Sequence, residues 1–117
     1  MPLIQLDTNF TFPDPNRKQA MAESLSQIMA EATGKPEQYV MVCIREDAAM
    51  MMSGAPGPCA LATVKAIGGL SKPVNQALAA KASQLLQKEL GIPGNRIFIT
   101  FEELAADHWA WDGRTFG

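Results

Sequence analysis

Gly34-Lys35-Pro36-Glu37-Gln38-Tyr39-Val40-Met41-Val42 and Gly91-Ile92-Pro93-Gly94-Asn95-Arg96-Ile97-Phe98-Ile99 are two versions of one segment. A displacement of 57 residues sets Gly34 on Gly91, Pro36 on Pro93, Gln38 on Asn95, Val40 on Ile97 and Val42 on Ile99. The likeness extends upstream, where Met21 meets Leu78, Ile28 meets Leu85 and Met29 meets Leu86. Two copies are too few for a solenoid, so the repeat points to one duplicated supersecondary unit. The expectation is a single domain over residues 1–117 with an internal repeat of about 57 residues.

Working outward, each copy reads strand–helix–strand. Pro2-Leu3-Ile4-Gln5-Leu6 is strand-like. Asp14 is a good N-cap with Pro15 at the first helical position. Met21, Leu25, Ile28, Met29 and Ala32 follow at helical spacing, and Gly34 supplies the stop. Tyr39 to Ile44 is then a continuous apolar run, the pattern of a strand buried on both faces. In the second copy Cys59 to Val64 is strand-like, and Ser71 and Pro73 open a helix carrying Val74, Leu78, Leu85, Leu86 and Leu90. Gly91 ends it, and Arg96 to Phe101 forms the last long strand.

The resulting order, βαββαβ, predicts an α+β fold with a four-stranded mixed sheet. Right-handed crossovers put both helices on one face. The other face is left uncovered, although Val40 to Ile44 and Ile97-Phe98 are apolar on both sides of their strands. Soluble monomers rarely expose such a face. An obligate oligomer that buries it is expected. The alternative is a C-terminal segment, with Trp109, Trp111 and Phe116, folded back over it.

Composition excludes several classes of function. Hydrophobic content of 47% with 19% charged residues is that of a globular chain. A formal net charge of −2 gives no electrostatic footprint for nucleic acid. No apolar run approaches the ~20 residues of a membrane helix, and no secretory signal pattern is visible. Two cysteines, Cys43 and Cys59, lie in apolar runs as small hydrophobes, which suggests a reducing, cytoplasmic setting. The lone His108 has no partners at ligand spacing, so no metal site is expected. Met50-Met51-Met52 reads as loop packing or contact surface. Glu102 and Glu103 would face opposite ways on a strand and cannot act as a pair.

The residue with chemistry to offer is Pro2. Loss of Met1 would expose a secondary amine at the head of the first strand. An ordinary α-amino group titrates near pH ~7.7–8.0, and burial in an apolar wall favours its neutral form. A neutral amine at physiological pH is a competent general base. If Met1 stays, the Pro2 nitrogen is an amide and no base. Lys35 follows the first helix, where a cation favours the helix dipole or holds a substrate carboxylate. Ile67-Gly68-Gly69 follows the third strand; its glycines lack the spacing of a phosphate-binding loop and suit a turn or a close approach.

Taken together, these residues resemble the macrophage migration inhibitory factor family of the tautomerase superfamily. The likeness spans essentially the whole chain. It is carried by Met1-Pro2, Ala32-Thr33-Gly34-Lys35-Pro36 with Gln38-Tyr39, Pro58-Cys59-Ala60-Leu61, Ala66-Ile67-Gly68, Arg96-Ile97-Phe98-Ile99, and Trp111 with Thr115-Phe116. The resemblance implies a homotrimeric tautomerase-like barrel whose sheets wrap a central channel, with active sites at subunit boundaries. It implies that Pro2 is the catalytic base and that Lys35 binds the substrate carboxylate. Ile67 would add backbone and apolar surface, and Phe98 and Thr100 would enter from a neighbouring subunit. Trp109, Trp111 and Phe116 would complete an apolar pocket. The implied reaction is cofactor-free keto–enol tautomerisation of an aryl pyruvate such as phenylpyruvate.

The chain departs from the family pattern in four places. Phe98 stands where the best-known members have tyrosine, and Thr100 where they have asparagine. An oriented donor is worth about 2.7–4 kcal/mol in a transition state, so these changes predict an altered rate or substrate preference. A Cys-x-x-Cys motif becomes Cys59-Ala60-Leu61-Ala62, which removes the pair a thiol oxidoreductase needs. Trp109 is larger than the usual residue and narrows the expected pocket. The competing function is a cytokine-like signalling protein released without a signal peptide and bound by a cell-surface receptor. An RNA-binding ferredoxin-like domain shares the βαββαβ order. Its aromatic strand pattern is missing here.

Overall fold

The computed structural model describes residues 1–117. The chain runs β1 (Pro2–Thr8), α1 (Pro15–Thr33), β2 (Met41–Arg45), β3 (Ala60–Ala66), α2 (Lys72–Leu90) and β4 (Ile97–Glu103), then a short hairpin of β5 (Ala110–Trp111) and β6 (Arg114–Thr115). The principal sheet has the order β2-β1-β3-β4. β1 pairs with β2 in parallel and β3 with β4 in parallel, while β1 and β3 are antiparallel. The expected mixed sheet of two βαβ units is the observed one. Equivalent elements keep the offset seen in the sequence: α1 and α2 begin 57 residues apart, as do the 3-10 turns Glu37–Tyr39 and Gly94–Arg96.

Local chemistry sets these boundaries. Asp14 accepts from the Arg17 amide at 2.8 Å and Ser71 from the Val74 amide at 3.4 Å, capping the two helices. Both helices carry proline in the first turn, where no amide partner is lost. Gly34 (φ 69°) and Gly91 (φ 67°) end them in the left-handed conformation that glycine adopts without a Cβ penalty.

The core lies between the helices and one face of the sheet. Ile4 and Leu6 of β1, Ala60, Ala62 and Val64 of β3, Met21, Leu25 and Met29 of α1, and Leu78, Leu86 and Leu90 of α2 form a single buried cluster. Residues of alternate parity on β1 and β3 are buried, as one covered face requires. Thr8 is the buried polar exception; its hydroxyl donates to the Cys59 carbonyl at 2.9 Å and accepts from the Phe10 amide at 3.1 Å.

Two expectations need correction. β2 is not a strand buried on both faces but a sheet edge, and its Met41 is 65% exposed. Tyr39, expected to start it, belongs to the preceding 3-10 turn. The uncovered face is also mixed, not apolar. Register places Leu3, Gln5 and Asp7 beside Met41, Cys43 and Arg45, and Leu61, Thr63 and Lys65 beside Phe98, Thr100 and Glu102. Asp7 and Arg45 pair at 2.7 Å on this face, and that hydrogen bond holds the Asp7 carboxyl below the ordinary carboxylate range. The C-terminal hairpin does not cover the face: all four residues of β5 and β6 are exposed. Asp112 (φ 50°) and Gly113 (φ 79°) make its tight turn, and its companion is the 3-10 turn Ala106–His108, joined through the Phe116 amide to the Ala106 and Trp109 carbonyls.

The loop between β2 and β3 is tied down by one side chain. The Arg96 guanidinium donates to the carbonyls of Met52, Ala55, Gly57 and Pro58 at 2.8–3.1 Å. This anchors the Met50-Met51-Met52 stretch, of which Met51 is 68% exposed.

Leu86 is completely buried between α2 and the sheet. Its replacement by alanine is expected to cost about 2–5 kcal/mol, read as a lower urea midpoint with an unchanged slope.

Candidate functional site at the start of the chain

Pro2 is the first residue of β1, a position that needs no amide donor, and its side chain is buried. It pairs with Ala66 at the end of β3. The next residues, Ile67-Gly68-Gly69, turn away from the sheet with Gly68 at φ 68° and Gly69 at φ 81°. Glycine adopts two successive left-handed conformations without a Cβ penalty. The turn's far end is fixed by Glu103, whose carboxylate accepts from the Leu70 amide at 2.8 Å.

Lys35 follows the C-cap of α1 and closes the site. Its ammonium does not turn back to the carbonyls of α1, as the dipole argument alone would have it. It crosses to the turn and donates to the Ile67 carbonyl at 2.5 Å and the Gly68 carbonyl at 3.1 Å. An ammonium has three donors. Two are committed to backbone, and the third remains for a group near the start of the chain.

That group is the α-amine. With Met1 present, burial lowers the pKa of its amino group, and the Lys35 charge and a hydrogen bond with Lys35 lower it further. A lowered pKa here favours the neutral amine. The nitrogen accepts a proton above that pKa and is already protonated below it. Pro2, Lys35 and Ile67 are thus gathered at one end of β1 and β3.

Phe98 and Thr100 lie elsewhere in the chain. Phe98 sits beside Leu61 and Thr100 beside Thr63, five and three positions along β3 from Ala66. At about 3.3 Å per residue, Phe98 is on the order of 16 Å from the Pro2 end. It lines a separate surface groove with Gln76, Ala79, Ala80 and Ser83. The aromatic residues of the C-terminus leave from the correct end, because the Leu104 amide donates to the Ala66 carbonyl at 2.8 Å. Trp109 is half-buried, whereas Trp111 and Phe116 are 60% and 39% exposed and share an open cleft with Arg114. No group of three or more His, Cys, Asp or Glu residues is placed to hold a metal.

A cavity of about 150 Å³ lies between the helices, lined by Phe12, Arg17, Met21, Leu85 and Leu90 among others. It is at the opposite end of α1 from Lys35, and its polar side chains are Arg17, Ser24 and Glu89. Sequence reasoning missed Glu103 as the anchor of the turn, and saw in Gly69 only a generic close approach. The unusual Gly68-Gly69 pair was the available signal.

Paired βαβ units, with the amino end of the chain set against a lysine, define a tautomerase-like α+β fold. The family model described as macrophage migration inhibitory factor (MIF) matches residues 1–117. A macrophage migration inhibitory factor homolog of Brugia malayi is 38% identical over 117 residues, covering all of both chains, and the factor of Xenopus tropicalis is 31% identical over 119 residues, covering 99% of each. Among solved structures, the factor from Toxoplasma gondii superposes with a TM-score of 0.91 at 32% identity, covering 97% of this chain and 99% of its own. The homologue from Prochlorococcus marinus also gives 0.91, at 35% identity with 98% and 99% coverage. The chain belongs to the macrophage migration inhibitory factor family.

Replacing Lys35 by glutamine removes the cation beside the amine and is expected to raise the amine's titration midpoint toward its ordinary value. The rate of amine acylation against pH, read by peptide mass mapping, measures this. An unchanged midpoint would mean that Lys35 does not act on the amine.

Proposed function

We propose that this protein is a cofactor-independent keto–enol tautomerase acting on aryl pyruvates such as phenylpyruvate. The observation that carries this reading is that the chain's start lies beside the Lys35 ammonium, where burial and that charge already favour the neutral form of the Met1 amine; Pro2, one residue on, would carry the amine after Met1 is removed. Membership of the macrophage migration inhibitory factor family supports it.

Removal of Met1 makes the Pro2 nitrogen the chain's amine. Neutral, it takes a proton from the carbon or oxygen at one end of the enol system. The protonated amine returns that proton to the other end, so one group serves as base and then acid. Loss of the Met1 amine releases the third donor of Lys35, which binds the substrate carboxylate and fixes the reacting atom near the nitrogen. Ile67 contributes its carbonyl to hold Lys35 and its side chain as apolar surface. No cofactor takes part in the scheme.

The aromatic part of the substrate needs walls that one chain does not bring to Pro2. We assign them to the assembly, a homotrimer with Phe98 and Thr100 supplied by the neighbour and Trp109, Trp111 and Phe116 closing the pocket. Three features support the assembly: two unpaired sheet edges, β2 and β4; large exposed apolar residues, Met41, Met51, Phe98 and Trp111 among them; and an uncovered sheet face. That face sets Gln5, Asp7, Arg45, Thr63 and Lys65 among Leu3, Met41, Leu61 and Phe98, with polar groups for a water-filled channel and apolar ones for contact between subunits.

No helix is long and apolar enough to cross a membrane. We place the enzyme in the cytoplasm. A cell-surface receptor is the partner under the cytokine-like reading, which dispenses with catalysis by Pro2.

Ultraviolet absorbance reports phenylpyruvate tautomerisation directly. Protein whose intact mass confirms loss of Met1 is expected to turn over, and Pro2→Ala to fall about a hundredfold or more. Equal rates in both, or none in either, would overturn the phenylpyruvate reading and favour receptor binding.

A further inference from the structure

The turn that holds Lys35 lies close against the lysine stem at one position. A Cβ built on Gly69 would lie 3.1 Å from Lys35 Cε and 3.6 Å from its Nζ. A Cβ on the adjacent Gly68 would meet nothing within 4 Å, although both residues have positive φ. The two glycines therefore differ in kind. Gly68 satisfies a backbone conformation. Gly69 satisfies a conformation and also leaves the space in which the lysine stem lies.

We propose that Gly69 is a positioning residue for substrate recognition, its missing side chain allowing the Lys35 stem to lie against the turn so that the ammonium reaches both backbone carbonyls. The kinetic part of this inference rests on the tautomerase reading given above. With two donors fixed on Ile67 and Gly68, the ammonium can rotate little, and its remaining donor has one direction. The site then takes a carboxylate through a single charge-assisted hydrogen bond at a defined place. A carboxylate α to the reacting carbonyl fits that fixed distance. A Cβ at position 69 displaces the end of the stem by a few tenths of an ångström and so weakens its contact with the two carbonyls.

The other charged groups at this end do not substitute for it. Glu103 is engaged by the Leu70 amide at 2.8 Å. Lys65 and Glu102 face each other at 3.8 Å on the uncovered side of the sheet. The α-amine itself is the remaining titratable neighbour.

Two variants separate space from conformation. Gly69→Ala adds a Cβ and a strained positive φ; Gly69→Asn adds a Cβ but tolerates positive φ far better. Both are made in the full chain lacking Met1. Thermal unfolding should show the larger loss for Gly69→Ala. In contrast, KM for phenylpyruvate, measured above the amine midpoint, should rise about tenfold in both, the worth of one weakened charge-assisted hydrogen bond. The change in kcat should be much smaller, as for an interaction shared by ground and transition states. The amine's titration midpoint, followed by nitrogen NMR, should rise in both.

If Gly69→Asn retains the wild-type KM and midpoint, the need at position 69 is conformational and the inference is overturned. The same follows if kinetic losses track thermal stability in both variants. Should the wild-type chain show no Pro2-dependent turnover, the tautomerase reading fails instead. The midpoint comparison then still decides whether Gly69 positions Lys35.

Discussion

The site depends on one ammonium held by two backbone carbonyls. Lys35 donates to Ile67 and Gly68 across the gap between the end of α1 and the end of β3. Those contacts fix a positive charge beside the start of the chain, and burial, with that charge, lowers the Met1 amine's affinity for a proton. The structural parts that meet here are otherwise unrelated in sequence. Met1, just ahead of β1, brings the amine, the C-cap of α1 leads into the lysine, and a double-glycine turn brings the carbonyls. β4 contributes Glu103 from the far side of the turn. A displacement of any one of them is felt at the amine.

The duplicated unit explains why the parts converge at one end of the sheet. In each copy, a helix returns the chain to start a second strand parallel to the first. The antiparallel pairing of β1 with β3 then sets the beginning of one copy against the end of the other's first strand. Pro2 meets Ala66 for that reason alone. The same symmetry leaves β2 and β4 as equivalent unpaired edges. It also leaves the two copies free to diverge: Lys35 follows the glycine cap of the first helix, whereas Ile92 follows that of the second and is fully buried. The residue after the glycine cap reaches the glycine turn in one copy and enters the core in the other.

Much of this was legible in the residues. The two helices, their caps at Asp14, Ser71, Gly34 and Gly91, and the parallel pairing within each unit follow from periodicity and capping chemistry. Strand ends were less legible, because Glu37–Tyr39 and Gly94–Arg96 are tight turns whose apolar or basic last residues look like strand starts. The uncovered face was misread for a related reason. A continuous apolar run at Val40 to Ile44 does not distinguish a strand buried on both sides from an edge strand awaiting a partner. At the site, Pro2 and Lys35 stood out by chemical type. Gly69 and Glu103 did not, since an absent side chain and a carboxylate bonded to a loop amide take meaning only from what lies next to them in space. The fate of the C-terminal aromatics was illegible for a different reason: their hairpin projects from its own chain.

A crystal structure of the chain lacking Met1 with a non-isomerisable aryl carboxylate bound would test the account most directly. It should place a carboxylate oxygen within hydrogen-bond distance of Lys35 Nζ while Ile67 and Gly68 still hold that ammonium. The carbon matching the reacting centre should lie about 3–3.5 Å from the Pro2 nitrogen, with the ring against a neighbouring subunit's Phe98. A ligand seated away from Lys35, or a Pro2 nitrogen turned from it, would contradict the account.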